Sequence, residues 1–316
     1  MKVQIITPAP KGSRHGNRVT ALRWQSILES LGHRVVLSER YDGEEVDVMI
    51  ALHARRSAPA IERFAHLYPR APIVVALTGT DVYKDISRSV SAVRSLKTAS
   101  RLVTLQGLAE LELPINLRPK VRVIHQSVDP TPQSASRDDV QFDVCVVAHL
   151  RPVKDPFRAA FASRILPKSS RIRILQVGSA MSDSMARRAT AEMKKNPRFL
   201  WFGDCSRDET RQIISRSRVL VLSSRLEGGA NVISEAIVDH VPIVASEIPG
   251  SVGLLGPDYP AYFQVGDTKG LATLLWKLES DRSLLQSLRD HCRNLAPYFS
   301  PQREKTAWEN LLRELL

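Results

Sequence analysis

Two glutamates eight residues apart, Glu227 and Glu235, bracket Gly228-Gly229 and a helix start at Ala230-Asn231. An apolar run precedes them, and Val241-Pro242-Ile243-Val244-Ala245 follows. A strand, a glycine loop and a helix together aim backbone N–H groups at the crevice above a sheet, where anions bind. Carboxylates hold sugar hydroxyls, whereas phosphates want amides and cations. The combination points to a ligand with both kinds of group, a nucleotide sugar. The plainer account makes Glu227 a partner of the helix dipole and Glu235 a solvated face residue. The two glycines, which permit close backbone approach, favour the ligand.

Other strand ends carry cations. The run at 144–148 leads into His149-Leu150-Arg151-Pro152-Val153-Lys154, which could neutralise a departing diphosphate. The first strand leads into Lys11-Gly12-Ser13-Arg14-His15-Gly16-Asn17-Arg18, a phosphate-type loop without a Walker A ending. Gly-x-Gly-x-x-Gly is absent, which argues against a dinucleotide enzyme. Two further strands end in His53-Ala54-Arg55-Arg56-Ser57 and Thr78-Gly79-Thr80-Asp81. His53 could equally be a structural histidine, and Asp81 a helix cap. Convergence of Arg55 and Arg56 with Lys11, Arg14 and Arg18 favours a small tetrahedral oxyanion. His125-Gln126-Ser127 is a further candidate of this kind. No spaced His/Cys/Asp set suggests a metal, and no Gly-x-Ser-x-Gly elbow suggests a serine hydrolase.

These residues need elements to hold them. Apolar, β-branched runs predict strands at 3–6, 35–37, 48–52, 73–77, 102–104 and 121–124. Amphipathic spacing predicts helices at 18–31, 58–67 and 90–98. After a polar, proline-bearing stretch the alternation restarts, with strands at 144–148, 172–177, 199–202, 219–222, 243–245 and 262–265. Helices are expected at 156–166, 182–195, 208–217, from about 230, and at 270–279, 284–295 and 302–316, with a Gly/Pro-rich loop at 248–260. The expected class is α/β, with two Rossmann-like parallel-sheet domains facing across a cleft. Their bounds are 1–128 for an acceptor domain, 129–141 for a linker and 142–296 for a nucleotide-sugar domain. A C-terminal helix at 297–316 could pack back on the first domain.

The 316 residues carry a net charge of +12, scattered without a run of five or six. That distribution suits anionic substrates better than a nucleic-acid module. Cys145, Cys205 and Cys292 are odd in number and far apart, as in a reduced, cytoplasmic protein. No apolar stretch nears membrane-spanning length, and the N-terminus opens directly into a strand.

In combination these segments resemble the family-4 glycosyltransferases of the GT-B fold. The resemblance is closest to the branch of selenosugar synthases in selenoneine biosynthesis. It implies that Glu227 contacts the transferred sugar and Glu235 the ribose, with Gly228, Gly229, Ala230 and Asn231 lining the donor. It places Lys154 on the diphosphate. His149 stands where the family has arginine, and Arg151 lies two residues on, so either could assist. The branch implies transfer from a UDP-sugar, UDP-N-acetylglucosamine or UDP-glucose, to selenophosphate, without a metal or other cofactor. The acceptor set is then Lys11, Gly12, Arg14, Gly16, Asn17, Arg18, His53, Arg55, Arg56, Thr78, Gly79, Thr80 and Asp81. Catalytic roles fall to Glu227, Lys154 and His53. Competing expectations are another small, sugar or lipid acceptor, and a non-catalytic nucleic-acid-binding protein.

Overall fold

The computed structural model describes residues 1–13, 15–79, 81–132 and 140–315; Arg14, Thr80 and 133–139, most of the expected linker, lie outside them. The chain divides into two compact units. One is Met1–Ser127 with Pro301–Leu316, the other Val128–Ser300.

The first unit runs β1 (Lys2–Ile6), α1 (Gly16–Ser30), β2 (Arg34–Ser38), β3 (Val48–Leu52), α2 (Ala58–Leu67), β4 (Ile73–Leu77), α3 (Val90–Thr98), β5 (Arg101–Thr104) and β6 (Val121–Val123). All six strands are parallel, in the order β2-β1-β3-β4-β5-β6. Every residue of β3 and β4 is buried, which is why both read as unbroken apolar runs. Helix α1 presents Ala21, Trp24 and Leu28 to the core at helical spacing. The chain leaves β1 for β2 on one side and returns to β3 on the other. The loops after β1 and β3 therefore flank the point where strand order reverses, the usual ligand crevice of such sheets.

The second unit contains β7 (Phe142–Val147), α4 (Arg158–Arg164), β8 (Ile172–Val177), α5 (Asp183–Lys195), β9 (Phe199–Trp201) and α6 (Arg207–Arg216). It continues with β10 (Val219–Leu222), α7 (Asn231–Val238), β11 (Ile243–Ser246), α8 (Pro249–Leu255), β12 (Tyr262–Phe263), α9 (Thr268–Ser280) and α10 (Arg282–Leu295). Its parallel order is β12-β11-β10-β7-β8-β9, so the reversal falls between β7 and β10. The strand expected at 262–265 is only two residues long. The loop expected at 248–260 is corrected too, because helix α8 occupies much of it. Pro249 sits in its first turn, where a missing N–H costs nothing, and Gly256 ends it with φ 93°. Asp129 and Thr131, at the start of the expected linker, are tied down within this unit. Arg211 donates to the Asp129 carbonyl and Thr131 Oγ1, and Thr131 donates to Asp239.

The last helix, α11 (Pro301–Arg313), belongs to the first unit. Its Trp308 meets Trp24 edge-on at 4.8 Å. Its Glu304, 2% exposed, accepts from Trp24 Nε1 at 2.8 Å and from Ser127 N and Oγ at 2.7 and 2.5 Å. The three cysteines are free, with Cys145 and Cys292 buried. Among the described residues, no helix is long and apolar enough to cross a membrane.

Candidate functional sites

In the second unit, the loops after β7 and β10 meet. Lys154 Nζ donates to Glu227 Oε1 in a close ion pair, and Ser224 Oγ donates to the same oxygen at 2.5 Å. The β7 loop is pinned from two sides. Leu150 N donates to the Ser179 carbonyl, and Met181 N to that of Leu150. On the other side Ser223 Oγ bonds the Lys154 and Asp155 carbonyls, while Arg225 N donates to Val153 O. His149 Nδ1 lies 3.2 Å from Ser179 Oγ, and Arg151 is exposed. Asp155 closes the turn in the left-handed region, φ 43°, and contacts Arg158 and Arg225. A half-buried cation thus stands at one reversal point, held by a carboxylate.

Helix α7 begins at Asn231 behind Ala230, with no side chain capping its start and no acidic residue in its first turn. The dipole and backbone N–H groups at a helix start suit an anion. Glu235 projects from the second turn and is partly buried, as is Asn231. Gly229 is partly buried and Gly228 buried. Ser223, Ser224, Ser179 and Gly250 belong to this site and were not expected. Gly250 has a decisive role, because a Cβ there would lie 2.2 Å from the Glu227 carbonyl oxygen. Gly250→Ala is expected to push the Glu227 loop away and lower turnover about 10- to 100-fold. Steady-state kinetics, compared with a melting curve, separate this from simple unfolding.

In the first unit, hydrogen bonds link the three expected loops. Thr78 Oγ1 donates to Asn17 Oδ1 at 2.6 Å, and Thr7 Oγ1 to the Asn17 carbonyl at 3.4 Å. Asp81 accepts from Gly79 N at 2.9 Å and Ala54 N at 3.1 Å. Lys11 is exposed, and its backbone N–H reaches Glu39. Gly12 takes φ 80°, and Gly16 opens α1 with nothing near its missing Cβ. Among the described residues helix α1, like α7, has no side-chain cap at its N-terminus and no acid in its first turn. Arg18 in that turn is only 9% exposed, and its Nε has no hydrogen-bond partner among the described residues; Ser13 Oγ is buried and unpartnered too. Arg14 and Thr80, expected in this site, lie outside the described residues. Of the further candidates, Gln126 Nε2 donates to Thr20 Oγ1 at 2.5 Å, Ser127 binds Glu304, and burial lowers the pKa of His125.

His53, expected at the acceptor, is buried in the loop after β3. It is 3% exposed, at φ 74°, with Asp81 4.0 Å from Nδ1 and Asp85 3.7 Å from Nε2. Burial lowers its pKa, against the pull of Asp81, and favours the neutral ring. Nδ1 accepts from Arg56 N at 3.4 Å, which leaves the proton on Nε2. Asp81 is fully buried, and burial raises its pKa. Both residues therefore brace the turn from which exposed Arg55 and Arg56 project at the start of α2.

The family described as "Glycosyl transferases group 1" matches residues 128–296, over half the chain. The chain belongs to the group 1 glycosyl transferases. The matched segment spans nearly all of the second unit, with its Lys154–Glu227 site. A curated relative from Xenopus tropicalis, "Glycosyltransferase 1 domain-containing protein 1", is 23% identical over 282 residues, covering 80% of this chain and 81% of that protein. Among solved structures, HepE of Anabaena in complex with UDP superposes with a TM-score of 0.79 at 15% identity, over 99% of this chain and 100% of that one. HepE in complex with UDP-glucose gives 0.76 at 16% identity, over 100% and 99%. Sucrose-phosphate synthase from Thermosynechococcus elongatus gives 0.76 at 15% identity, over 99% and 98%. The fold of this group 1 glycosyl transferase is accordingly GT-B, two Rossmann-like parallel-sheet domains.

Proposed function

We propose that this glycosyltransferase moves a sugar from a UDP-sugar to selenophosphate, forming a C–Se bond. The observation that carries the acceptor assignment is Arg18. A guanidinium buried with an unpartnered Nε, in the first turn of an uncapped helix, is unfavourable until an anion arrives. Lys11, Arg55 and Arg56 add exposed charge, and Asn17 and Thr78 add polar groups. Such a site suits a small, multiply charged acceptor better than a lipid or an apolar aglycone.

On this reading the second unit holds the donor. Lys154 and the α7 N-terminus counter the charge that grows on the diphosphate, Glu227 holds the transferred sugar, and Glu235 the ribose. HepE, bound to UDP and UDP-glucose in its solved structures, supports a uridine-based donor. Selenium attacks the anomeric carbon as its bond to the diphosphate oxygen breaks, and UDP leaves. Water then cleaves the P–Se bond, its oxygen passing to phosphorus and a proton to selenium. The products are a 1-seleno sugar, UDP and phosphate. Selenium is already a strong nucleophile, so positioning and leaving-group stabilisation do the work.

Mass spectrometry of reactions with selenophosphate and several UDP-sugars tests this. A selenium-bearing sugar, with UDP release that depends on selenophosphate, is the expected result. UDP release that ignores selenophosphate and follows another acceptor overturns it. The double variant Arg55→Ala/Arg56→Ala is expected to raise the selenophosphate KM roughly tenfold or more while leaving UDP binding intact. Unchanged acceptor kinetics would remove both arginines from the site.

A further inference from the structure

Asp85 closes a single five-residue π-helical turn, Asp81–Asp85, beyond β4. It is 8% exposed, and its Oδ2 has no aligned hydrogen bond among the described residues. Two groups nevertheless converge on that oxygen, Arg55 Nε at 3.0 Å and His53 Nε2 at 3.7 Å. The Arg55 side chain is half-exposed. A buried carboxylate with so few aligned partners is a costly feature that packing alone does not require.

Geometry gives it a use. The Asp85 carboxylate lies against the Nε side of Arg55, and the two terminal Nη groups of a guanidinium form the fork that meets two oxygens of a tetrahedral anion. The imidazole stands behind the carboxylate. Its Nδ1 is taken up by the Arg56 N–H, so the N–H on Nε2 is turned toward Asp85. Asp81, through Ala54 N, ties the same turn to the end of β4.

We propose that Asp85 is a positioning residue for acceptor binding, holding Arg55 by its Nε so that the guanidinium presents its two Nη groups to the phosphoryl end of the acceptor. This rests on the reading of Arg55 as an acceptor-binding residue. Asp85 acts through Arg55 and does not itself meet the substrate. His53 Nε2 stands 3.7 Å behind the carboxylate.

The test is steady-state kinetics with selenophosphate and a saturating UDP-sugar. Asp85→Asn keeps the shape and removes the charge. It is expected to raise the selenophosphate KM about tenfold, with kcat and the UDP-sugar KM within about twofold of wild type. Added to Arg55→Ala, Asp85→Asn is expected to change the acceptor KM no further, because the group it positions is gone. Arg55→Lys, at an exposed position, keeps the charge but loses the Nε anchor, and is expected to raise the KM about as much as Asp85→Asn. An Asp85→Asn enzyme with wild-type acceptor KM overturns the proposal, as does full additivity with Arg55→Ala. If Asp85→Asn does not accumulate as folded protein, wild-type KM in Arg55→Lys overturns it alone. A wild-type enzyme inert toward selenophosphate refutes the functional reading. A wild-type enzyme that turns over, with Arg55→Ala impaired and Asp85→Asn normal, refutes only the role of Asp85.

Discussion

Glu227→Ala is expected to lower selenophosphate-dependent UDP release by roughly a hundredfold or more at saturating substrates. Two effects combine. The carboxylate assigned to the transferred sugar disappears. In addition, Lys154 loses the partner that holds its ammonium at the junction of the β7 and β10 loops, so the cation assigned to the diphosphate is no longer fixed. Ser224 Oγ loses its acceptor as well. Glu227→Gln retains an acceptor oxygen for Ser224 but not the charge for Lys154, and should fall between. Lys154→Ala should resemble Glu227→Ala in kcat if the pair acts as one unit, giving a double variant far less impaired than the product of the two losses. Full turnover by a correctly folded Glu227→Ala enzyme would dismiss the donor assignment.

The largest expected effect on stability belongs to a residue outside both sites. Glu304 is buried and ionically paired with Arg23 Nε at 3.2 Å, besides receiving the Trp24 indole N–H and two bonds from Ser127. Glu304→Ala leaves the Trp24 indole N–H and the Ser127 backbone N–H without the buried acceptor they share, and removes the carboxylate paired with Arg23. Breaking a buried pair from one side typically costs about 3–5 kcal/mol. For a unit of this size that corresponds to a fall in melting temperature of roughly 10 °C. Differential scanning calorimetry should show the loss. A change under about 1 kcal/mol would mean that α11 contributes little to the first unit.

Legibility in the sequence followed a physical boundary. Strands such as Ile73–Leu77 and Val48–Leu52 announce themselves because both faces of a parallel sheet are covered. The cation-bearing loops were legible because ligand chemistry gathers at the ends of such strands. Helix α8 was not, since Pro249, Gly250 and Gly253 look like breakers until the first turn's tolerance of proline is considered. Ser224, Gly250 and Asp85 were missed for a different reason. Their importance lies in what touches them from distant segments, and local spacing holds no record of that. His53 shows the converse. Its position at a strand end was clear, but its burial between two aspartates depends on the turn that Asp81–Asp85 folds into.

The first unit is assembled from the two ends of the chain, with the second unit inserted between them. During synthesis, therefore, Trp24 and Ser127 emerge long before Glu304 and Trp308 are translated. The inserted unit has the strands and helices described for it once Phe299, which packs into its core, has emerged. Domains ordinarily fold from the N-terminus as they are made. In this chain the unit that starts first is completed only after the inserted one, and the loops proposed to bind the acceptor rest on a core that closes with α11.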